Sequence, residues 1–196
     1  MSQSVWNKHY NRERSNLTIP DENVVRYVER LLRNENRPET VLDAGCGSGR
    51  NLAYLQSLGL KAYGCDFAIE GLWPQRDVVN ATISSLPFSD KAFDLVIVWG
   101  VFHYLESAKL NDAITEVNRI LKPGGRLFTT YRSSEDTHLQ KVLGSGDLAR
   151  GSARLFDQEQ AAATLKGFSD INFGYIMRIP LGEKEAIAHH VVEAIK

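Results

Sequence analysis

The sequence predicts an α/β fold built on a largely parallel sheet. Three observations carry this. Between residues 38 and 132, short apolar runs alternate with segments of helical periodicity. Leu95-Val96-Ile97-Val98 is an unbroken apolar run, as expected of a strand covered on both faces. And the strand candidate Val41-Leu42-Asp43 runs into Gly45-Cys46-Gly47-Ser48-Gly49 and then into a helical pattern. Strands that alternate with helices connect by right-handed crossovers and therefore lie parallel.

The elements follow in order. Trp6 and Tyr10 stand four residues apart, so on a helix they share one face. Asp21 after Pro20 is a helix N-cap, and Glu22 in the first turn suits the helix dipole. Val24, Val25, Val28, Leu31 and Leu32 then recur at helical spacing, and the helix stops before Pro38. Strand candidates are 40–43, 61–65, 78–81, 93–99 and 126–131. Helix candidates are 51–58, a short piece at 69–72 cut by Pro74, and 108–121, ended by Pro123-Gly124-Gly125. Residues 132–154 are polar and rich in Gly and Ser, which predicts a long loop or lid. Asp157 caps a helix running to Lys166. Residues 171–179 and 188–195 read as two closing strands joined around Pro180-Leu181-Gly182. In the second, Ala186, His190, Val191 and Ala194 also fit a helix, and the strand is favoured.

The length, 196 residues, suits one domain. It divides into an N-terminal helical segment (1–37), a ligand-binding core (38–132), a loop or lid (133–157), and a helix with a closing hairpin (158–196). Lys plus Arg total 23 against 24 Asp plus Glu, a formal charge of −1. That balance argues against nucleic acid and anionic membrane as partners. No apolar run approaches the roughly 18–20 residues that span a bilayer, and the first 20 residues lack the apolar stretch of a secretory signal. The two cysteines, Cys46 and Cys65, make neither a disulfide framework nor a CxxC pair, which points to a reduced cytoplasmic protein. No metal site is expected: His189-His190 lacks a third ligand and reads as a surface pair.

The chemistry concentrates at Asp43-Ala44-Gly45-Cys46-Gly47-Ser48-Gly49. Glycine is needed where φ is positive or where a ligand touches bare backbone, and the helix start that follows offers amide donors. The spacing is G-x-G-x-G, not the G-x-G-x-x-G of dinucleotide binders. Asp66, at the end of the second strand, is placed to accept from ribose hydroxyls. A carboxylate beside the loop is a poor neighbour for a pyrophosphate and a good one for a cation. This favours a nucleoside carrying an amino acid and a sulfonium.

This stretch resembles motif I of the class I S-adenosylmethionine-dependent methyltransferases. Leu86-Pro87-Phe88, Phe93-Asp94-Leu95-Val96 and Leu121-Lys122-Pro123-Gly124-Gly125 fall in that family's order. Gly49-Arg50-Asn51 is similar to the small-molecule, type 11 and tellurite-resistance-like branch. The resemblance implies a Rossmann-like, doubly wound, mostly parallel seven-stranded sheet with an antiparallel last strand and helices on both faces. It implies S-adenosylmethionine as cofactor, S-adenosylhomocysteine as product, and a small-molecule acceptor. By position, Asp43, Gly45, Cys46 and Gly47 form the loop against the methionine portion. Asp66 holds the ribose, Phe67, Thr82 and Ile83 flank the adenine, and Trp99 and Gly100 contact the amino acid. Many members carry Asp where this chain has Thr82, and the segment between Asp66 and Thr82 is short for the family.

Methyl transfer from a sulfonium is an in-line displacement, so positioning dominates and a base is needed only if the acceptor must lose a proton. The candidates for catalysis are His103, whose ordinary pKa suits neutral pH, and Tyr131; a packed histidine is an equal reading for His103. His138 in the long loop also lies near the expected methyl position. Trp6, Tyr10, Tyr104 and Arg132 are the substrate or lid candidates, and Arg12, Arg14, Arg50 and Arg150 are further cations that an anionic acceptor or a basic face would use. The chain is expected to be a monomer or homodimer. Two competing functions remain open: a non-catalytic binder of the same cofactor, and an NAD(P)-dependent oxidoreductase, which the glycine spacing opposes.

Overall fold

The architecture follows from two apolar faces on one sheet. The computed structural model describes residues 3–10, 17–35, 37–68, 77–142 and 153–196. Seven strands form one sheet in the order β3-β2-β1-β4-β5-β7-β6. They are β1 (Thr40–Ala44), β2 (Lys61–Asp66), β3 (Val78–Asn80), β4 (Phe93–Val98), β5 (Leu121–Arg132), β6 (Ser169–Arg178) and β7 (Ile187–Ile195). The first five are parallel, and β7 is antiparallel to both β5 and β6. The helices are α1 (Gln3–Tyr10), α2 (Glu22–Leu32), α3 (Arg50–Ser57), α4 (Ser107–Ile120), α5 (Thr137–Val142) and α6 (Gln158–Thr164).

Strand β4 shows why its apolar run is continuous. Leu95 and Ile97 pack with Val24, Val28 and Leu31 of α2 and Leu52 and Leu55 of α3. Val96 and Val98 join Leu110, Ile114 and Val117 of α4 and Ala161 of α6 on the other face. Alternate side chains thus serve opposite layers. On the α2 face, Tyr27 stacks flat on Phe128 at 3.8 Å between ring centres and donates to Glu193 Oε1 at 2.8 Å.

The family-like segments have structural work of their own. Arg119 of α4 donates to the carbonyls of Leu86 (3.0 Å) and Phe88 (2.8 Å), and Glu116 accepts the Leu86 amide at 2.7 Å. This ties Leu86-Pro87-Phe88 to the helix. Asp94 takes Lys122 Nζ at 2.7 Å and Thr40 Oγ1 at 2.8 Å, which joins β1, β4 and β5 at their starts. Burial alone would raise the Asp94 pKa, but the bonds from Lys122 and Thr40 hold it at about 2.

Three expectations need correction, and one ambiguity is resolved. Pro123-Gly124-Gly125 does not separate helix from strand: β5 begins at Leu121, and its register with β4 jumps between the Phe93–Leu121 and Leu95–Arg126 pairs. A bulge absorbs the proline and the positive φ of Gly124 (+74°). The long segment after Arg132 is not all loop. It holds α5, whose start is fixed by Asp136 Oδ1 accepting the Leu139 amide at 2.6 Å. Residues 187–195 are a strand, the favoured reading, with Ala188, His190, Val192 and Ala194 buried in strict alternation, so period two wins over the helical alternative. His190 is therefore no surface residue: its Nε2 lies 3.1 Å from the Phe156 carbonyl. The helical piece at 69–72 lies outside the described residues, as do Arg12, Arg14 and Arg150.

Candidate active site

The site forms where β1, β2 and β4 end on one edge of the sheet, as ligand clefts do in open α/β sheets. Gly45 and Cys46 both donate backbone N–H to the Cys65 carbonyl, at 2.7 and 3.0 Å, so the glycine loop is clamped against the end of β2. Gly45 has φ +78°, and a Cβ there would collide with Val101 Cγ2. Asp66 accepts the amide of Gly47 at Oδ2 (2.9 Å) and that of Ala68 at Oδ1 (2.9 Å). It thus braces the glycine loop, and each of its oxygens keeps a further lone pair. Burial raises its pKa.

Asp43 lies beneath the loop, 1% exposed, and its Oδ2 has no hydrogen-bond partner. Burial, and then the nearby charge of Asp66, push its carboxyl up to about 7. Cys46 in the loop is buried too, and burial pushes its thiol pKa up, which keeps it neutral.

A cavity of about 530 Å³ opens beside this loop. Its walls include Trp6, Tyr10, Gly45, Asp66, Phe67, Thr82, Ile83, Trp99, Gly100 and Tyr104. The structure therefore brings together nine of the ten residues named here from the sequence as ribose, adenine, amino-acid or lid contacts, plus Gly45 of the loop. A smaller cavity, about 180 Å³, is lined by Gly45, Cys46, Gly47, Ser48, Arg50 and Asn51, among others. Tyr10, Gly45 and Trp99 border both. Tyr10 is half-buried, with its hydroxyl 2.5 Å from the Cβ position of Gly47. Trp6 stacks on Tyr10 at 5.8 Å and meets Tyr104 edge-on at 4.9 Å, so α1 roofs the cleft.

The segment after α1 is fixed to the loop as well. Ser48 Oγ donates to the Leu17 carbonyl at 2.7 Å, Arg50 donates to the Ile19 carbonyl at 3.2 Å, and the Asp21 amide donates to Asn51 Oδ1 at 2.9 Å. Arg50 also pairs with Asp21 at 3.5 Å, so this cation is occupied.

The two residues proposed for catalysis stand elsewhere. Tyr131 is fully buried among Phe102 and Phe156, and its hydroxyl lies 2.8 Å from Thr164 Oγ1 on α6. It points into the core because β5 alternates and position 131 faces the α4–α6 layer. His103 sits in a 3-10 turn, Phe102–Tyr104, 2% exposed, behind the Tyr104 ring at 4.2 Å and outside the cavity wall. Burial, with Arg132 and His189 nearby, lowers its pKa well below the ordinary value, so it is neutral. Arg132 is not in the cavity wall either; it pairs with Asp136 at 2.6 Å. Sequence reasoning missed Val101, Leu105, Glu106 and Lys109, which line the cavity from the 3-10 turn and the start of α4. Their only signal was the position directly after β4.

Fold and site define a nucleoside-type cleft on a doubly wound sheet with a reversed last strand. The comparisons with known proteins agree. The family model described as a methyltransferase domain matches residues 42–129. A malonyl-(acyl-carrier protein) O-methyltransferase from Pseudescherichia vulneris is 29% identical over 141 residues, 68% of this chain and 55% of that protein. An uncharacterised methyltransferase from Synechocystis is 36% identical over 93 residues, 44% of each chain. The chain spans about half the length of the curated relatives it matches. Among solved structures, the 1,6-didemethyltoxoflavin-N1-methyltransferase of Burkholderia thailandensis, with its substrate and S-adenosylhomocysteine bound, superposes with a TM-score of 0.71 at 22% identity, covering 99% of this chain and 86% of that one. Residues 42–129 thus match the methyltransferase-domain family, and the fold is similar to that of solved S-adenosylmethionine-dependent methyltransferases of class I.

The residues present fit the cofactor of that class. Bare glycine backbone faces the smaller cavity, and Asp66 offers free lone pairs to hydroxyls. Phe67 and Ile83 offer apolar surface to a base, and the buried, unpartnered Asp43 Oδ2 lies below the loop. Among the described residues no cluster of His, Cys, Asp or Glu has the makings of a metal site, and no helix is long and apolar enough to cross a membrane.

Proposed function

We infer that the chain transfers a methyl group to a small-molecule acceptor. The observation that carries this is one continuous cavity reaching from Gly45 and Asp66 to the Trp99–Lys109 wall, roofed by Trp6 and Tyr10. A volume of about 530 Å³ falls within the usual range for small-ligand sites, roughly 300–1,000 Å³.

When bound, S-adenosylmethionine supplies an electrophilic methyl on a sulfonium, open to in-line attack by a nucleophile. The chain's part is to bind and align. Asp66 and the loop amides hold one end of the cleft, and Thr82 and Ile83 hold the other. Trp99, Gly100 and Tyr104 shape the space in which an acceptor is placed, and the aromatic roof excludes water. Among the described residues the cavity wall carries no histidine. An acceptor that enters as an anion or a neutral amine needs none.

The test is ligand-induced stabilisation followed by turnover. S-adenosylmethionine and S-adenosylhomocysteine should each raise the melting temperature, and NAD should not. Release of S-adenosylhomocysteine with an acceptor panel would then show transfer. An equal shift with NAD would overturn the assignment. Cofactor binding with no transfer to any acceptor would leave a binding protein.

A further inference from the structure

Behind Tyr104 the protein buries three side-chain nitrogens that lack a hydrogen-bond partner, two of them arginine donors. His103 Nδ1, Arg132 Nε and Arg154 Nη1 are each buried without a partner. They are brought together by the backbone. Residues 154–156 run between the 3-10 turn and β5, with the Arg154 amide on the His103 carbonyl (2.7 Å) and the Phe156 amide on the Arg132 carbonyl (2.8 Å). Across the sheet, Arg132 stands opposite His189 in the β5–β7 register, and the His103 and His189 rings are 6.2 Å apart.

The acceptors nearby are already taken. Asp136, fully buried, gives Oδ1 to the Leu139 amide and Oδ2 to both Arg132 Nη1 (2.6 Å) and the Ala188 amide (2.8 Å). The carbonyls of His103, Arg132 and Phe156 each hold a partner. Arginine nitrogens only donate, and buried donors in native proteins are nearly always satisfied. Charge gives the same result. Asp136 neutralises Arg132, and His103 is neutral. Among the described residues the Arg154 guanidinium has no carboxylate partner, and its Cζ lies 4.9 Å from the Phe156 ring centre. Among the described residues, two arginine donors, Arg132 Nε and Arg154 Nη1, therefore lack an acceptor.

We propose that this cluster is a recognition subsite for a carboxylate on the methyl acceptor, held by Arg132 Nε and Arg154 beside His103. This deepens the functional reading above and rests on it. A planar carboxylate matches the guanidinium edge that Asp136 leaves open on Arg132. Tyr104 belongs to the cavity wall and feels both Arg132 and Asp136, so the subsite adjoins the cavity from behind that ring. His103 then takes part in acceptor recognition and is not a base.

The test uses matched probes: aliphatic and aromatic monocarboxylates, their primary amides, and inorganic phosphate. Binding is measured by calorimetry on the full chain saturated with S-adenosylhomocysteine, and again without it. The acids should bind and the amides should not. Arg154→Gln should weaken acid binding roughly tenfold to a hundredfold, the scale of a charge-assisted bond, with the affinity for S-adenosylhomocysteine unchanged. Arg154→Lys should retain part of it. Arg132→Lys, which keeps a cation beside Asp136, is the second variant should Arg154→Gln fail to fold. In turnover assays the loss should appear in KM for the acid. Equal binding of acids and amides, preference for phosphate, or unchanged acid binding in both arginine variants would overturn the proposal. Failure of S-adenosylhomocysteine to bind would instead sink the functional reading, and the arm without it still decides the subsite.

Discussion

The hydroxyl of Tyr10 stands 2.5 Å from the point where a Cβ on Gly47 would lie. Helix α1 and the glycine loop are therefore in contact at the middle of the cleft, and Gly47 is at φ +50°, where a side chain is strained. Gly47→Ala should lower the melting temperature by a few degrees, from about 1–2 kcal/mol of backbone strain plus displacement of Tyr10. Affinity for S-adenosylmethionine should fall at least roughly tenfold. The double variant Gly47→Ala with Tyr10→Ala removes the collision and should recover part of the stability, a coupling read from a double-mutant cycle. Strict additivity would mean the two residues do not touch.

Asp66 has two tasks, and one substitution separates them. Asp66→Asn keeps one acceptor oxygen but turns an amide donor towards a backbone N–H, either Gly47 or Ala68. Without ligand, unfolding should cost about 1–3 kcal/mol less than in the wild type. The affinity for S-adenosylhomocysteine should also drop, by about tenfold or more. Calorimetry of binding and thermal unfolding of the free protein are the two readings. Lower stability with unchanged affinity would make Asp66 a brace for the loop and nothing more.

The contrast between Asp66 and Tyr131 shows what the sequence could reveal. The G-x-G-x-G spacing, the strand before it and the acid ending the next strand are local patterns, and they lead directly to the cavity wall. The same holds for Trp6 and Tyr10, whose four-residue spacing alone places them on one face. Tyr131 and His103 are named from position after a strand, and position does not say which way a side chain points. Tyr131 faces the core because the β5 bulge at Pro123-Gly124-Gly125 sets the register beyond it. His103 and Arg154 meet only through the chain between β5 and α6, and Arg132 and His189 only through β5–β7 pairing. Contacts between residues so distant in sequence leave no local trace.

Acid and base tolerance should reveal Asp43. Its carboxyl titrates near 7 when folded, against 3.8 when free, so it binds a proton more tightly in the folded state. Its contribution to stability is fully present below about pH 3.8 and is lost as pH rises through 7. His189 has the opposite sign. Burial, then Arg132, pushes it down to about 4 from 6.5, so its contribution holds above 6.5 and is lost as pH falls through 4. The two oppose each other across the same window. Asp43→Asn removes the first and leaves the second. Its melting temperature should exceed that of the wild type at pH 8, by on the order of 5 °C, and the gap should narrow as pH falls through 7 towards 3.8. A gap that does not change with pH would mean Asp43 is ionised throughout.

Tyr131→Phe tests the core assignment of a residue that sequence position offers for catalysis. Thr164 Oγ1 donates to the Ala161 carbonyl at 2.7 Å, so its single proton is committed and Tyr131 is the donor in their 2.8 Å bond. Burial raises the Tyr131 pKa, which keeps the phenol neutral. Losing that hydroxyl removes one buried hydrogen bond, about 1 kcal/mol, or roughly 2–4 °C for a chain of this length. The packing against Phe102 and Phe156 is kept. Cofactor affinity and kcat should stay within about twofold, because nothing of Tyr131 reaches the cavity wall. A large fall in kcat at an unchanged melting temperature would return Tyr131 to the chemistry.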